Sequence, residues 1–179
     1  MYDILKKRLE TLPKNAIILV IIPSQLYQEV NIIILRYYLD ATKEKGIYLS
    51  LNRPLNNLLE NLKAAKIESS RLHFIDTVTK NEIDTPNSYF LKTQKSMTKL
   101  KLALQASLKI KKSSFVILDS LNTLFLNNKK ESAMKCIENL VLKCRAQQLQ
   151  GILLSTEQTN EEHLEKIASL CDQTINLIE

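Results

Sequence analysis

Glycine is almost absent from this sequence, whose 179 residues include only Gly46 and Gly151. A loop that wraps a phosphate group needs residues that reach positive φ and let backbone N–H groups approach the phosphate, and glycine meets both needs. Neither glycine lies in a glycine-rich stretch. The sequence therefore excludes a conventional glycine-rich phosphate-binding loop.

Long apolar runs and paired cysteines are also missing. The longest apolar run, residues 16–22, is far shorter than the roughly 20 residues of a membrane-spanning helix. The first residues show no signal-peptide pattern. The three cysteines, Cys136, Cys144 and Cys171, have no metal-site spacing and leave one unpaired. We therefore expect a cytoplasmic protein with buried thiols and no membrane association.

Acidic residues are absent between Asp84 and Asp119, although the chain as a whole carries a net charge of only +6. The lysines in this interval form a stretch of positive charge, which we call the lysine block. It is either the solvated face of a helix or a surface for nucleic acid or another acidic partner. The lysines in this interval are Lys92, Lys95, Lys99, Lys101, Lys109, Lys111 and Lys112.

Apolar strands alternate with amphipathic helices along the whole chain. Near-continuous apolar strands of this kind are typical of a parallel sheet that is buried on both faces. We predict a single α/β domain with a mostly parallel, twisted sheet between two helical layers. Residues 1–13 form an N-terminal helix ending at Pro13, residues 14–178 form the core, and residues 77–90 form a long loop. Strands are predicted at 16–22, 47–51, 71–75, 115–119, 151–155 and 174–178, and the later helices at 26–45, 55–66, 91–110, 131–148 and 161–170.

Several of these segments resemble the RecA, RadA and KaiC ATPases. The matching segments are residues 45–54, 59–62, 72–76, 151–157 and 171–177, together with 116–124, which resembles the Walker B strand that carries a magnesium-binding aspartate, here Asp119. The chain is most similar to small archaeal members of the superfamily that lack the phosphate-binding loop. The resemblance implies a RecA-like fold, a ligand crevice at the carboxyl ends of the strands, and side-by-side assembly of subunits.

The residues that such ATPases use for phosphoryl transfer are replaced here. Aligned on the family pattern, Glu29 stands at a glycine of the phosphate loop, Val30 at its lysine and Asn31 at its magnesium-binding hydroxyl. Asn52 and Arg53 stand where the family places a catalytic glutamate after the second strand. The resemblance thus implies a pseudo-ATPase that has no enzymatic activity and needs no cofactor.

The expected crevice gathers the residues that follow the strands. For Asp119 two roles are open: accepting backbone N–H groups of the next turn, or binding a metal ion, which the missing partners make the weaker candidate. Glu29 and Arg53 follow adjacent strands and are expected to form an ion pair. The residues predicted to converge are Tyr27, Glu29, Asn31, Asn52, Arg53, Asp76, Asp119, Ser120, Glu157 and Gln158.

The leading functional hypothesis is a non-catalytic RecA- or KaiC-like domain that acts as a regulatory or protein-binding module. Its partner would be a second copy, a catalytically competent paralogue or a signalling protein. One alternative is a nucleic-acid-binding accessory of recombination or repair, which the lysine block favours. Another alternative is an ATP-binding protein with an atypical loop.

Overall fold

In the part of the chain that the structure describes, seven parallel strands form a single sheet in the order β4-β3-β2-β5-β6-β1-β7. The computed structural model describes residues 2–79, 82, 85–91, 97–110 and 112–178. The predicted α/β class with a parallel sheet is confirmed. The strands are β1 (Ile17–Ile22), β2 (Gly46–Ser50), β3 (Leu72–Asp76), β4 (Ser88–Phe90), β5 (Phe115–Asp119), β6 (Gln150–Thr156) and β7 (Gln173–Asn176).

Helices cover both faces of the sheet. The segment after β1 starts with a 3-10 turn (Ser24–Leu26), continues as α2 and ends in a π-helical turn (Tyr37–Ala41). Thus the single helix predicted over residues 26–45 has three parts and ends earlier. The helices are α1 (Tyr2–Glu10), α2 (Tyr27–Arg36), α3 (Leu55–Ala64), α4 (Met97–Ile110), α5 (Leu121–Asn127), α6 (Lys130–Ala146) and α7 (Glu161–Ala168).

The structure contains two short elements that the sequence did not predict. The loop predicted over residues 77–90 contains β4, a three-residue edge strand that pairs with β3. A short helix, α5, follows Ser120, where the sequence indicated only a turn. Both elements are too short to show the hydrophobic period by which longer elements are recognised.

The sheet separates two apolar cores. Side chains of α1, α2 and α3 pack on one face, whereas those of α4, α5, α6 and α7 pack on the other. Alternate residues of the strands contribute to opposite cores: Ile18 and Val20 of β1 point to the first, and Ile17 and Leu19 to the second. This explains why the strands are apolar throughout.

Because all strands are parallel, their carboxyl ends meet at one edge of the sheet. Asp119 ends β5 there, between Ser50 of β2 and Leu154 of β6. At the other side of the sheet, where the strands begin, Gly46 starts β2 directly against the Phe115 ring, which leaves no room for a Cβ atom. In the part of the chain that the structure describes, no helix has the length and apolarity required to span a membrane.

Candidate functional site

The centre of the candidate site is the carboxylate of Asp119, which is completely buried. It projects toward the core that α2 covers, because Asp119 shares a face of β5 with Ile117, a member of that core. The peptide bond between Asp119 and Ser120 is cis. A buried carboxylate is costly unless hydrogen-bond donors surround it, so its partners define the chemistry of this site.

Three side chains donate hydrogen bonds to this carboxylate. The hydroxyl of Tyr27 lies 2.6 Å from Oδ1, the hydroxyl of Tyr48 lies 2.5 Å from Oδ2, and Nδ2 of Asn31 lies 3.1 Å from Oδ2. Tyr27 and Asn31 are four residues apart on α2 and therefore face the sheet together. We name this group, with Asp119, the carboxylate cluster. The predicted capping of backbone N–H groups by Asp119 is wrong, since its hydrogen bonds come from these side chains.

Burial keeps both tyrosines protonated. It is the main reason that the pKa of Tyr27 is raised well above its usual range, and the negative charge of Asp119 raises it further. The pKa of Tyr48 is raised by the same two causes in the same order. Both hydroxyls therefore remain hydrogen-bond donors at neutral pH, which the carboxylate requires.

Arg53 places a positive charge beside the cluster. Its Nε lies 3.9 Å from Oδ2 of Asp119, and its guanidinium lies 5.7 Å from the centre of the Tyr27 ring. The predicted ion pair between Glu29 and Arg53 does not form, because Glu29 is exposed on α2 whereas Arg53 turns inward toward Asp119. The buried carboxylate competes better for the guanidinium because water screens it less.

A second carboxylate accepts a hydrogen bond at the start of the segment that connects β1 with α2. The backbone nitrogen of Ser24, which begins the 3-10 turn before α2, lies 2.8 and 3.1 Å from the two carboxylate oxygens of Glu157. This hydrogen bond is the main reason that the pKa of Glu157 is lowered. Val30, at the position of the family lysine, is fully buried in the apolar core. The residues at the start of α2 therefore do not fit a nucleotide phosphate.

Asp76 has the capping role that the sequence suggested for Asp119. Its carboxylate accepts the N–H of Leu55 at 2.8 Å, where α3 begins, and the N–H groups of Val78 and Thr79 at 2.7 and 2.9 Å. The hydroxyl of Thr79 adds a fourth hydrogen bond. Asp76 therefore stabilises the start of α3 and the turn after β3, outside the carboxylate cluster.

The other predicted site residues form a more open polar rim. Asn52, which is exposed, accepts a hydrogen bond from the Thr123 hydroxyl at 3.3 Å. That hydroxyl is also 3.2 Å from the hydroxyl of Ser120, and Gln158 is exposed beside Glu157. Asn52, which the resemblance aligned with a catalytic glutamate, thus contacts Thr123, and its amide is a poor general base.

The lysines of the block that the structure describes do not form a single stripe. Lys99 and Lys101 lie about 200° apart around α4 at roughly 100° per residue, and the buried residues Leu100, Leu104 and Leu108 separate them. Lys109 and Lys112 are exposed farther along the chain. Lys92, Lys95 and Lys111 lie outside the described residues.

The cysteines are free thiols, as predicted. Cys136 and Cys144 are buried and Cys171 is half-buried. Burial raises the pKa of Cys144 and of Cys171 to about 12, which suppresses the reactive thiolate. Among the described residues, no cluster of three or more histidine, cysteine, aspartate or glutamate side chains could hold a metal ion.

The comparisons with known proteins show the fold of this chain but do not assign it to a family. No protein-family model matches the sequence, and no curated protein matches it. Among solved structures, 175 chains match, including a KaiC-like protein of the hyperthermophilic archaeon Pyrococcus horikoshii OT3. That protein superposes with a TM-score of 0.69 over 92% of this chain and 72% of its own, at 8% sequence identity. The chain therefore has a RecA-like α/β fold.

Tyr48 is the member of the cluster that sequence reasoning missed. The signal available was a tyrosine within an otherwise aliphatic, fully buried strand, where its hydroxyl must find a partner. The partner could not be inferred, because it lies 71 residues away in sequence. The parallel register places Tyr48 opposite Ile117, two residues before Asp119 on the same face of β5.

We expect Tyr48→Phe to lower the free energy of unfolding by about 1–3 kcal/mol, because it removes one donor from a buried charge. Tyr89→Phe is the matched control. It retains the ring packing on His73, and its hydroxyl makes no hydrogen bond to the described residues. Urea unfolding followed by circular dichroism measures both variants, and equal stability losses would contradict the role assigned to the cluster.

Proposed function

We propose that this chain is a non-catalytic RecA-like domain that acts as a regulatory or protein-binding module. The observation that carries this proposal is that the buried Asp119 carboxylate is hydrogen-bonded by side chains of its own domain. The resemblance implies a magnesium-binding aspartate at the end of this strand, but here side chains of the same domain donate hydrogen bonds to the acid.

The acceptor capacity of Asp119 is largely used within the domain. A carboxylate offers about four lone-pair sites, and Oδ2 accepts from both Tyr48 and Asn31, while Oδ1 accepts from Tyr27. Mg²⁺ requires oxygen ligands in near-octahedral geometry, so binding it here would displace these donors. They would then be left unpaired in the interior, which is energetically costly.

The start of α2 supports the same conclusion. A nucleotide phosphate would meet the carboxylate of Glu157, which already accepts the N–H of Ser24 and repels an anion. The phosphate would also find no lysine at this position, because the residue there is Val30, which is part of the core. The proposed domain therefore keeps the scaffold of an ATPase without the groups that hold and polarise a phosphate.

Exposed leucines on neighbouring helices support a role in protein binding. Leu102 of α4 is 61% exposed and Leu142 of α6 is 65% exposed. The two helices pack against each other on the same face of the sheet. Exposed leucines on adjacent helices give a partner an apolar contact that a purely charged surface lacks. A second copy of this chain or another RecA-like protein are the candidate partners.

Calorimetric titration with Mg-ATP is expected to give no saturable heat, and phosphate-release assays no turnover above background. The Asp119→Asn variant is the control for contamination. It leaves hydrolysis by a contaminant unchanged and abolishes hydrolysis by this chain. Sub-millimolar affinity, or turnover abolished in a folded Asp119→Asn variant, would overturn the proposal.

Affinity capture from the native cell tests the partner. We expect wild type and an Ile4→Ser/Ile178→Ser control to retain the same protein, and Leu102→Ser/Leu142→Ser to lose it. The control replaces two other exposed apolar side chains outside α4 and α6. Retention of the same proteins by all three baits, or by none, would contradict a binding surface on α4 and α6.

A further inference from the structure

A small pocket opens at the opposite edge of the sheet, where the strands begin. It has a volume of about 200 Å³ and is lined by residues at the starts of β2 and β3 and by the segment before β5. It is separated from the carboxylate cluster by the length of the strands. Neither the resemblance to ATPases nor the proposed function assigns it a role.

Three of the described residues that line this pocket are positively charged. Lys45 precedes β2, Arg71 precedes β3, and Lys112 lies on the segment that leads into β5. Their juxtaposition results from the parallel register, because Gly46 pairs with both Leu72 and Phe115. Of the lining residues in the described part of the chain, none is acidic. Like charges held together repel each other, so an anion at this position would stabilise the arrangement.

Neutral donors complete the lining. The hydroxyl of Ser113 is buried and has no hydrogen-bond partner among the described residues, and Ser70 lies across the pocket. The guanidinium of Arg71 is oriented by a hydrogen bond from Nη1 to the backbone oxygen of Leu39 at 3.2 Å. Because arginine carries five N–H groups, this one hydrogen bond does not exhaust its donor capacity.

We propose that this pocket binds a phosphate group, either as the free anion or as part of a small phosphorylated molecule. Phosphate is the fitting class because it carries close to two charges near neutral pH and several acceptor oxygens. Lysine, arginine and serine side chains are its usual protein ligands. A carboxylate has one charge and two oxygens, which matches the three cations and the Ser113 hydroxyl less well. The proposal is independent of any nucleotide site at the strand carboxyl ends.

Calorimetry with sodium phosphate, at an ionic strength held constant with sodium chloride, tests this site. We expect saturable binding to wild type and binding at least about tenfold weaker in Lys45→Gln/Lys112→Gln, because each lysine contributes a charge-assisted hydrogen bond. The matched control, Lys63→Gln/Lys129→Gln, removes the same charge from exposed positions outside the pocket and is expected to bind as wild type does. Glycerol phosphate replaces phosphate in a second titration, to distinguish the free anion from a phosphorylated molecule.

Two further measurements locate the bound anion. Amide chemical shifts of Gly46 and Ser113 are expected to move with the calorimetric isotherm, and Ser113→Ala to weaken binding without altering the fold. Absence of saturable binding by either phosphate compound would overturn the proposal. Equal losses in the two double variants, or acetate binding as tightly as phosphate, would overturn it too.

Discussion

The structure depends on one buried carboxylate and the three side chains that donate to it. Taking the charge of Asp119 out of water is costly, and hydrogen bonds from Tyr27, Tyr48 and Asn31 offset that cost. These donors come from α2 and β2, whereas the acid ends β5. The cluster therefore fixes how the first helix of the core lies on the sheet. Loss of any one donor leaves the others around a less satisfied charge, so the cluster behaves as a unit.

Direct contacts within the same cluster connect α2 with the end of β5. Asn31, which the resemblance aligns with a magnesium-binding hydroxyl, hydrogen-bonds to the acid directly, so no metal ion is needed to connect α2 with β5. Glu157 similarly accepts the backbone N–H of Ser24, which begins the segment between β1 and α2. Under the proposed function, these internal contacts take the place of the contacts that a nucleotide would make.

The arrangement of the sheet was predictable because its physical cause is local. Continuous apolar runs bounded by turn residues, such as residues 16–22, indicate strands buried on both faces. The edge strand β4 escaped prediction because three residues show no period. The site was harder to predict from the sequence, because its contacts join distant parts of the chain. Tyr27 and Asp119 are 92 residues apart, and Ser24 and Glu157 are 133 residues apart. Residue types at aligned positions indicated that the ATPase groups were missing, but not what had replaced them. Thus Asp76, rather than Asp119, proved to be the capping acid.

Paramagnetic broadening by Mn²⁺ tests the central claim most directly, because it reports whether Asp119 can still bind a metal ion. In amide spectra recorded with ATP and increasing Mn²⁺, the account predicts no selective broadening at Ser120 and Leu121, since the adjacent carboxylate is already occupied by protein donors. Selective broadening of these two amides, reversed by excess Mg²⁺, would contradict it and restore Asp119 as part of a nucleotide site.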